Sequence, residues 1–461
     1  MHAKGVDRLR GEWGRLFGGG APGGLRLRGE AGVLQWADCS TRPEGSTVLG
    51  LDPRSPVSAS NPPPSVSPPS PHLYAGLLAL ALAAIGALCA VGWARSLERE
   101  HIHAVAPELS QEKLQGTALQ KQAFVDPYLL VLYGSSELVK EMPNKAANFF
   151  SDYPTGFRVF PVGKEGCTPL NVLHKVAAVG SSAHGRKAAF SVSPGWFWSE
   201  FFDSSFYEGN FSEMQAYETV FSTRLSAGLK HDIAERMLRH PKTLDGRPFL
   251  RFTVERLAGG GWSDRAVTSL LQPLGRLHCA IFRLQDHMEV ALDITEREEQ
   301  LHPSRPSRFR GLNWNELLKK AAKFANATAI QNKRNEIQRR GHAPASRDKV
   351  FIQTLGSAQE WIDLGLCLRT FRELGVQPLL LSVPIDDMRL AAYGISQPSR
   401  EFYLGRLTEL ANRNKCILMD FREHSANDGF TVDFFDHLSD EGWLYYNKAL
   451  DDYFHDRLPA R

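Results

Sequence analysis

Leu73 to Ala94 reads LYAGLLALALAAIGALCAVGWA, twenty-two residues without a charge, with Pro71 ahead of it and Arg95 directly after it. An α-helix rises about 1.5 Å per residue, so a run of this length crosses the roughly 30 Å hydrocarbon core of a bilayer. Secretory signals carry only about 7–15 apolar residues, so residues 73–94 read as an uncleaved transmembrane anchor. Its orientation does not follow from charge. Arg95 and Arg99 flank one side, and the nearest Lys or Arg on the other side is Arg54, which gives the positive-inside rule little to act on.

Ahead of the run, residues 1–72 carry Gly and Pro clusters (Gly18 to Gly20, Pro62 to Pro64, Pro68, Pro69) among Arg and Ser. Such a segment buries too little apolar surface to offset its ordering entropy, and it is expected to be disordered. Residues 95–123 are polar and read as a helical stalk. Over the whole chain 43% of residues are hydrophobic and 23% charged, an ordinary globular balance. The net charge of +3 is too small to argue for nucleic acid. Six cysteines (Cys39, Cys89, Cys167, Cys279, Cys367, Cys416) are scattered, with no CxxC pair and no His at metal-ligand spacing, so neither a metal site nor a disulfide framework is indicated.

From about Phe124 the pattern changes. YLLVLYGSSE, GFRVFPVGKEG and KAAFSVSPGW place short apolar runs directly before Gly134, Gly163 and Pro194, and two more follow in VQPLLLSVPI from Val376 and KCILMDF from Lys415. Strands that are apolar at nearly every position have both faces covered, and strands separated by helical stretches such as TPLNVLHKVAAVG pair in parallel. The expected fold is a three-layer α/β domain over 124–461 with a parallel sheet. Between about 200 and 370 strand signals are scarce and helical spacing dominates, as in MQAYETVFSTRLSAGLKHDIAERMLRH, so that stretch reads as a helical insertion. Ligands of such sheets sit at the carboxyl ends of the strands.

Chemistry-bearing residues fall at those ends. Gly134 permits a tight turn after the first strand, and Ser135 and Ser136 offer a hydroxyl there. Near the other terminus VDFFDHLSDEGW carries His437, one residue after Asp436 and four after Asp433. A serine near neutral pH needs a base to take its proton, and an imidazole needs a carboxylate to fix its tautomer. The Gly259 to Gly261 run lacks the Lys-Ser/Thr of a phosphate loop and reads as a plain turn.

Serine after the first strand with Asp and His before the last helix resembles the order of the SGNH, or GDSL-like, hydrolases. Gly134, Ser135 and Ser136 match the GDS turn, with Ser136 at the nucleophile position and Ser135 where the group has Asp. Gly163, Lys164, Glu165, Gly166, Cys167 and Thr168 fit the second block, G-x-x-G-x-T, which places Gly166 as an oxyanion donor. The resemblance narrows to the DltD family through GSSEL (134–138), SPGWF (193–197), NFSEMQ (210–215), ELGVQPLLLSVPI (373–385), YGIS (393–396) and HLSDEGW (437–443), in order over about 340 residues. It implies a serine acyl-transfer protein at the outer face of a cell membrane, taking part in D-alanylation of teichoic acid or a comparable envelope polymer. Ser136, His437 and Asp433 would be catalytic, with no metal or organic cofactor. Its implied partners are a D-alanyl carrier protein and a membrane-bound O-acyltransferase. An esterase or thioesterase, or a non-catalytic scaffold that recruits a carrier protein, are the alternatives.

Two departures from the family pattern matter. The triad Asp usually stands three residues before the His, a place held here by Phe434, so Asp433 is assigned and Asp436 is its rival. Where the third block offers Asn, or Gln in DltD proteins, this chain has Gly195, and Trp196 is the neighbouring side-chain donor. Residues 303–349 hold twelve Lys or Arg against three acidic residues, including Lys319, Lys320, Lys323, Arg339 and Arg340, and read as a surface for an anionic polymer or lipid headgroups.

Overall fold

All five apolar runs are strands: β1 (Leu129–Gly134), β2 (Arg158–Gly163), β3 (Ala188–Val192), β4 (Leu379–Ser382) and β5 (Ile417–Met419). A computed structural model of the chain describes residues 71–197, 204–301, 310–324, 327–340, 346–432 and 437–458. The strands form one sheet in the order β2-β1-β3-β4-β5, parallel throughout. Every position of β1, β3 and β4 is buried, as helices on both faces require.

The helices are α1 (Pro71–Val105), α2 (Gln111–Gln115), α3 (Ala118–Val125), α4 (Ala146–Asp152), α5 (Pro169–Val179), α6 (Ser204–Gly209), α7 (Glu213–Val220), α8 (Ala227–Leu238), α9 (Pro248–Gly259), α10 (Trp262–Glu296), α11 (Trp314–Phe324), α12 (Ala327–Arg340), α13 (Asp348–Ser357), α14 (Glu360–Glu373), α15 (Asp387–Ala392), α16 (Gln397–Arg413) and α17 (Asp440–Phe454). The described elements between β3 and β4 are all helical, which is the insertion read from the sequence. Period-2 alternation divides each strand between two cores. Leu130, Leu132, Ala189, Leu379 and Leu381 pack with Phe149 and Phe150 of α4, Trp314 of α11 and Trp443, Tyr446 and Leu450 of α17. On the other face Tyr133 and Phe190 meet Phe371 of α14 at 5.9 and 6.2 Å between ring centroids. The result is the expected three layers.

The chain divides at Ala84/Ile85 into two units. Along α1, His72–Val105 is long and apolar enough to cross a membrane, with a mean hydropathy of 2.3 over its best window and none of that window buried. The expected disordered segment 1–72 lies outside the described residues, apart from Pro71 and His72, which open α1.

Residues 95–123 depart from the stalk reading. Ala94, Glu98, Ile102 and Val105 recur at helical spacing and are all buried, and Leu119 and Ala123 of α3 are buried as well. The segment is polar in composition and still packs inward, because its main buried polar groups have partners. The Glu98 carboxylate meets His287 Nδ1 at 2.6 Å, and His103 Nε2 meets Asp126 at 3.1 Å. Lys113, fully buried, donates from Nζ to the carbonyls of Ala106 at 2.8 Å and Val105 at 3.3 Å, and to Glu108. Those carbonyls belong to the end of α1 and its continuation, where intrahelical donors run out. Burial drives the Lys113 pKa well below the usual lysine value, and the Phe160 ring, 3.8 Å away, faces the ammonium. Lys113→Met would keep the stem and strand the carbonyls. It is expected to cost ~2–4 kcal/mol, read as a lower thermal midpoint of the full chain in detergent; an unchanged midpoint would show that the cap is dispensable.

Candidate active site

The order of the sheet locates the site before any side chain is considered. β2 lies on one side of β1 and β3 on the other, so the chain reverses its direction of winding at β1, and the crevice of such a sheet opens outside the carboxyl ends of the strands at that point. Gly134 ends β1 and Ser193 follows β3 at this crevice. Gly134 also stands opposite Gly163, the last residue of β2. A Cβ on Gly134 would come within 2.3 Å of Glu137 Oε1, and one on Gly163 within 2.8 Å of the Gly134 carbonyl oxygen. Two glycines thus allow the strand ends and the following turn to close on each other.

Ser135 and Ser136 differ in access. Ser135 is 2% exposed, its N–H donates to Glu137 Oε1 at 2.9 Å, and its hydroxyl points toward the Lys164 carbonyl at 3.4 Å. Ser136 opens a 3₁₀ turn, Ser136–Leu138, and is partly exposed. Its carbonyl accepts from the N–H groups of Val139 and Lys140, each at 3.0 Å. Of the two serines only Ser136 reaches the surface. Glu137 holds this turn together, a role that its place in the sequence does not announce beyond setting an acid two residues after a buried serine. It is 1% exposed and accepts from the Ser135 N–H.

Gly166 follows β2 in a turn closed by the Cys167 N–H to the Lys164 carbonyl at 3.0 Å. Its φ is +72°, and a Cβ would lie 2.6 Å from the Phe206 ring, so the position demands glycine on both counts. Two residues on, Thr168 caps α5 in a capping box with Asn171, which sets Gly166 beside a helix N-terminus and its partial positive charge. Gly195 lies in the turn Pro194–Phe197 after β3, with its N–H donating to Ser193 Oγ at 3.1 Å. Trp196 is fully buried, 5.8 Å from the Phe190 ring between centroids, and its Nε1 is buried with no acceptor among the described residues.

His437 is half-buried on a pinned loop. Its carbonyl accepts from the Val432 N–H at 3.0 Å, and Thr431 bridges Leu438. Ser439 then caps α17, accepting from the Gly442 N–H at 3.1 Å. This loop and the Ser136 turn share one end of the sheet. Leu138 and Leu438 belong to the same core, the Asn144 N–H donates to Asp440 at 3.0 Å, and Asn447 donates to the Asn144 carbonyl at 2.9 Å. Asp433, Phe434 and Asp436 lie outside the described residues.

The basic stretch 303–349 is less free than its composition implies. Lys333 is 3% exposed and ion-paired with Asp386, Arg334 meets Asp428 at 2.9 Å, and Lys320 meets Glu316 at 2.5 Å. These cations are committed within the protein. The five described cysteines, Cys89, Cys167, Cys279, Cys367 and Cys416, are free thiols.

A parallel α/β sheet with a partly exposed serine at the carboxyl end of its first strand and a histidine loop ahead of its last helix has an SGNH-like architecture. The sequence profile of the family described as DltD protein matches residues 106–455, and the chain belongs to the DltD family, the family of teichoic acid D-alanylation. It is similar to Protein DltD of Bacillus subtilis (strain 168), 23% identical over 354 residues that cover 76% of this chain and 88% of that protein. It is also similar to Protein DltD of Staphylococcus aureus (strain NCTC 8325 / PS 47), 20% identical over 358 residues covering 74% and 85%. The match begins at 106, inside the segment that the structure packs against the domain.

Gly163→Ala puts a methyl against backbone that cannot rotate away. We expect ~1–3 kcal/mol of destabilisation and a displaced Ser136 turn, read as a roughly tenfold or greater loss of labelling by a serine-directed probe. Labelling at the wild-type rate would show that the two glycines have no bearing on the site.

Proposed function

We propose that the protein is a membrane-anchored serine acyl-transfer enzyme of envelope D-alanylation, with Ser136 as nucleophile, His437 as base and Asp433 as the carboxylate that orients His437. The observation that carries the reading is the partly exposed Ser136 at the carboxyl end of β1, in a chain of the DltD family. Ser136 Oγ attacks the carbonyl of an activated acyl group while His437 takes its proton, and the Gly166 N–H stabilises the oxyanion that forms. Collapse expels the donor's leaving group, which takes the proton from His437. The acceptor hydroxyl then gives its proton to His437 and attacks the Ser136 ester; collapse breaks the bond to Ser136 Oγ, which takes the proton back from His437 as the acylated polymer leaves. None of these steps calls on a metal or an organic cofactor.

The apolar length of α1 supports a single membrane span, and in this reading the domain lies on the outer side, where an envelope polymer would be met. The partners of this reading are a D-alanyl carrier protein and a membrane-bound O-acyltransferase, with an anionic envelope polymer as acceptor.

The test is labelling of the full chain in detergent with a fluorophosphonate, read by intact mass. One adduct on the wild type and none on Ser136→Ala is the expected result. An adduct that persists in Ser136→Ala, or a folded wild type that takes none, overturns the assignment.

A further inference from the structure

At the other end of the sheet from Ser136, the chain gathers cations around a cavity that the acyl-transfer chemistry does not use. α5 starts at the carboxyl end of β2 and finishes ahead of β3, so its last residues lie at the amino ends of the strands. There a cavity of about 520 Å³ is bordered by Gly180, Ser181 and Ser182, by Ser222 and Thr223 after α7, and by the cationic side chains of Arg95, Lys121, Arg224, Arg276 and Arg283. This volume falls within the range of small-molecule sites. The five cations come from α1, α3, the α7–α8 connection and α10, so they converge by tertiary folding and are not one basic face of one helix.

A single carboxylate, Glu218, lines the same cavity, and it is already taken. Arg283 binds it through Nε and, at 2.6 Å, through Nη2, while Lys121 approaches it at 3.9 Å. The guanidinium groups of Arg95, Arg224 and Arg276 have no ion pair and no hydrogen bond among the described residues. Like charges held around one concavity repel, and an anion that enters satisfies several of them together. Hydroxyls of Ser181, Ser182 and Thr223 add neutral hydrogen-bond partners, which suits the several oxygens of a phosphate group. Arg95 is also the first residue after the uncharged run 73–94, so if α1 crosses a bilayer, one wall of the cavity stands where the chain leaves the hydrocarbon.

We propose that this cavity binds a phosphate ester, whether of an anionic lipid headgroup or of a soluble molecule, through Arg95, Arg224 and Arg276. The binding is independent of Ser136. Its lipid form rests on the reading that α1 crosses a membrane.

The test uses the full chain in a non-ionic detergent. Native mass spectrometry compares retention of dioleoylphosphatidylglycerol with that of dioleoylphosphatidylcholine, and titration calorimetry follows soluble glycerol 1-phosphate. The triple variant Arg95→Gln, Arg224→Gln, Arg276→Gln is expected to bind the anion roughly tenfold or more weakly, and the triple Arg→Lys variant to recover most of the loss. Circular dichroism and Ser136 labelling, both expected at wild-type levels, check that the variants are folded. Saturation by glycerol 1-phosphate that displaces the phosphatidylglycerol identifies a site open to free or polymeric phosphate. Retention of phosphatidylglycerol alone identifies a headgroup site. Equal retention of the two lipids with no glycerol 1-phosphate binding, or wild-type affinity in the Gln variant, overturns the proposal.

Discussion

Ser136→Ala is expected to lower acyl transfer from an activated ester by about ten-thousandfold, His437→Ala to bring it to the same floor, and the double substitution to fall no further. In the proposed mechanism Ser136 and His437 act as one unit. Without the base the hydroxyl is a poor nucleophile, and without the nucleophile the base has no proton to move, so each single loss removes the whole covalent route. What would remain is the contribution of bound substrate and, in the proposed mechanism, of the Gly166 N–H, which would serve water as well as serine. Multiplicative losses in the double variant would mean that Ser136 and His437 act separately. Asp433→Asn should slow the reaction by roughly a hundredfold or more, with Asp436→Asn near the wild type; the reverse order assigns the carboxylate to Asp436. The measurement is single-turnover acylation of the full chain, because a slow acceptor step would mask an acylation defect in steady-state rates.

The sheet was legible because its strands are buried on both faces and therefore stand out as apolar runs with no competing polar alternation. The turn after β1 was legible for the same reason, since the apolar run stops at Gly134 and the next two residues are hydroxylic. Residues 95–123 misled because hydropathy counts side chains, not their partners. Lys113 and Glu98 score as surface residues, yet one caps carbonyls beyond α1 and the other pairs with His287, 189 positions away. Lys333 misled in the same manner: a run of cations reads as an open face until Asp386 and Asp428, more than fifty residues later in the chain, are seen beside it. Pairings at that separation leave no periodic trace in sequence.

The access of Ser136, the buried state of Ser135 and the part played by Glu137 are tertiary facts as well. Sequence put two adjacent serines on one turn. It is the closure of Gly134 onto Gly163, and the acceptance of the Ser135 N–H by Glu137, that buries one hydroxyl and presents the other.

Acid should weaken the fold through His174. This histidine of α5 is 3% exposed, with Nδ1 at 3.0 Å from Thr219 Oγ1 and Nε2 at 3.0 Å from the Tyr207 hydroxyl. The Thr219 hydroxyl donates to the Gln215 carbonyl at 2.7 Å, so it accepts from His174, which puts the ring proton on Nδ1. Nε2 is then the acceptor for Tyr207 O–H, and the ring is neutral. Burial, with the nearby positive charges of Lys175 and His240, lowers its pKa from 6.5 to about 3. The unfolded chain takes up the proton below 6.5 and the folded one only near 3, so stability is intact above 6.5 and falls as the pH drops through that window. The loss reaches ~4–5 kcal/mol at the lower end, at about 1.4 kcal/mol per pH unit. In thermal melts of the full chain between pH 8 and 4, the wild-type midpoint should fall on the order of 5–10 °C from this group. His174→Gln, less stable at pH 8 because Tyr207 and Thr219 lose their partner, should show a shallower acid slope. Parallel curves for the two proteins would place the acid sensitivity elsewhere and leave His174 a packing residue alone.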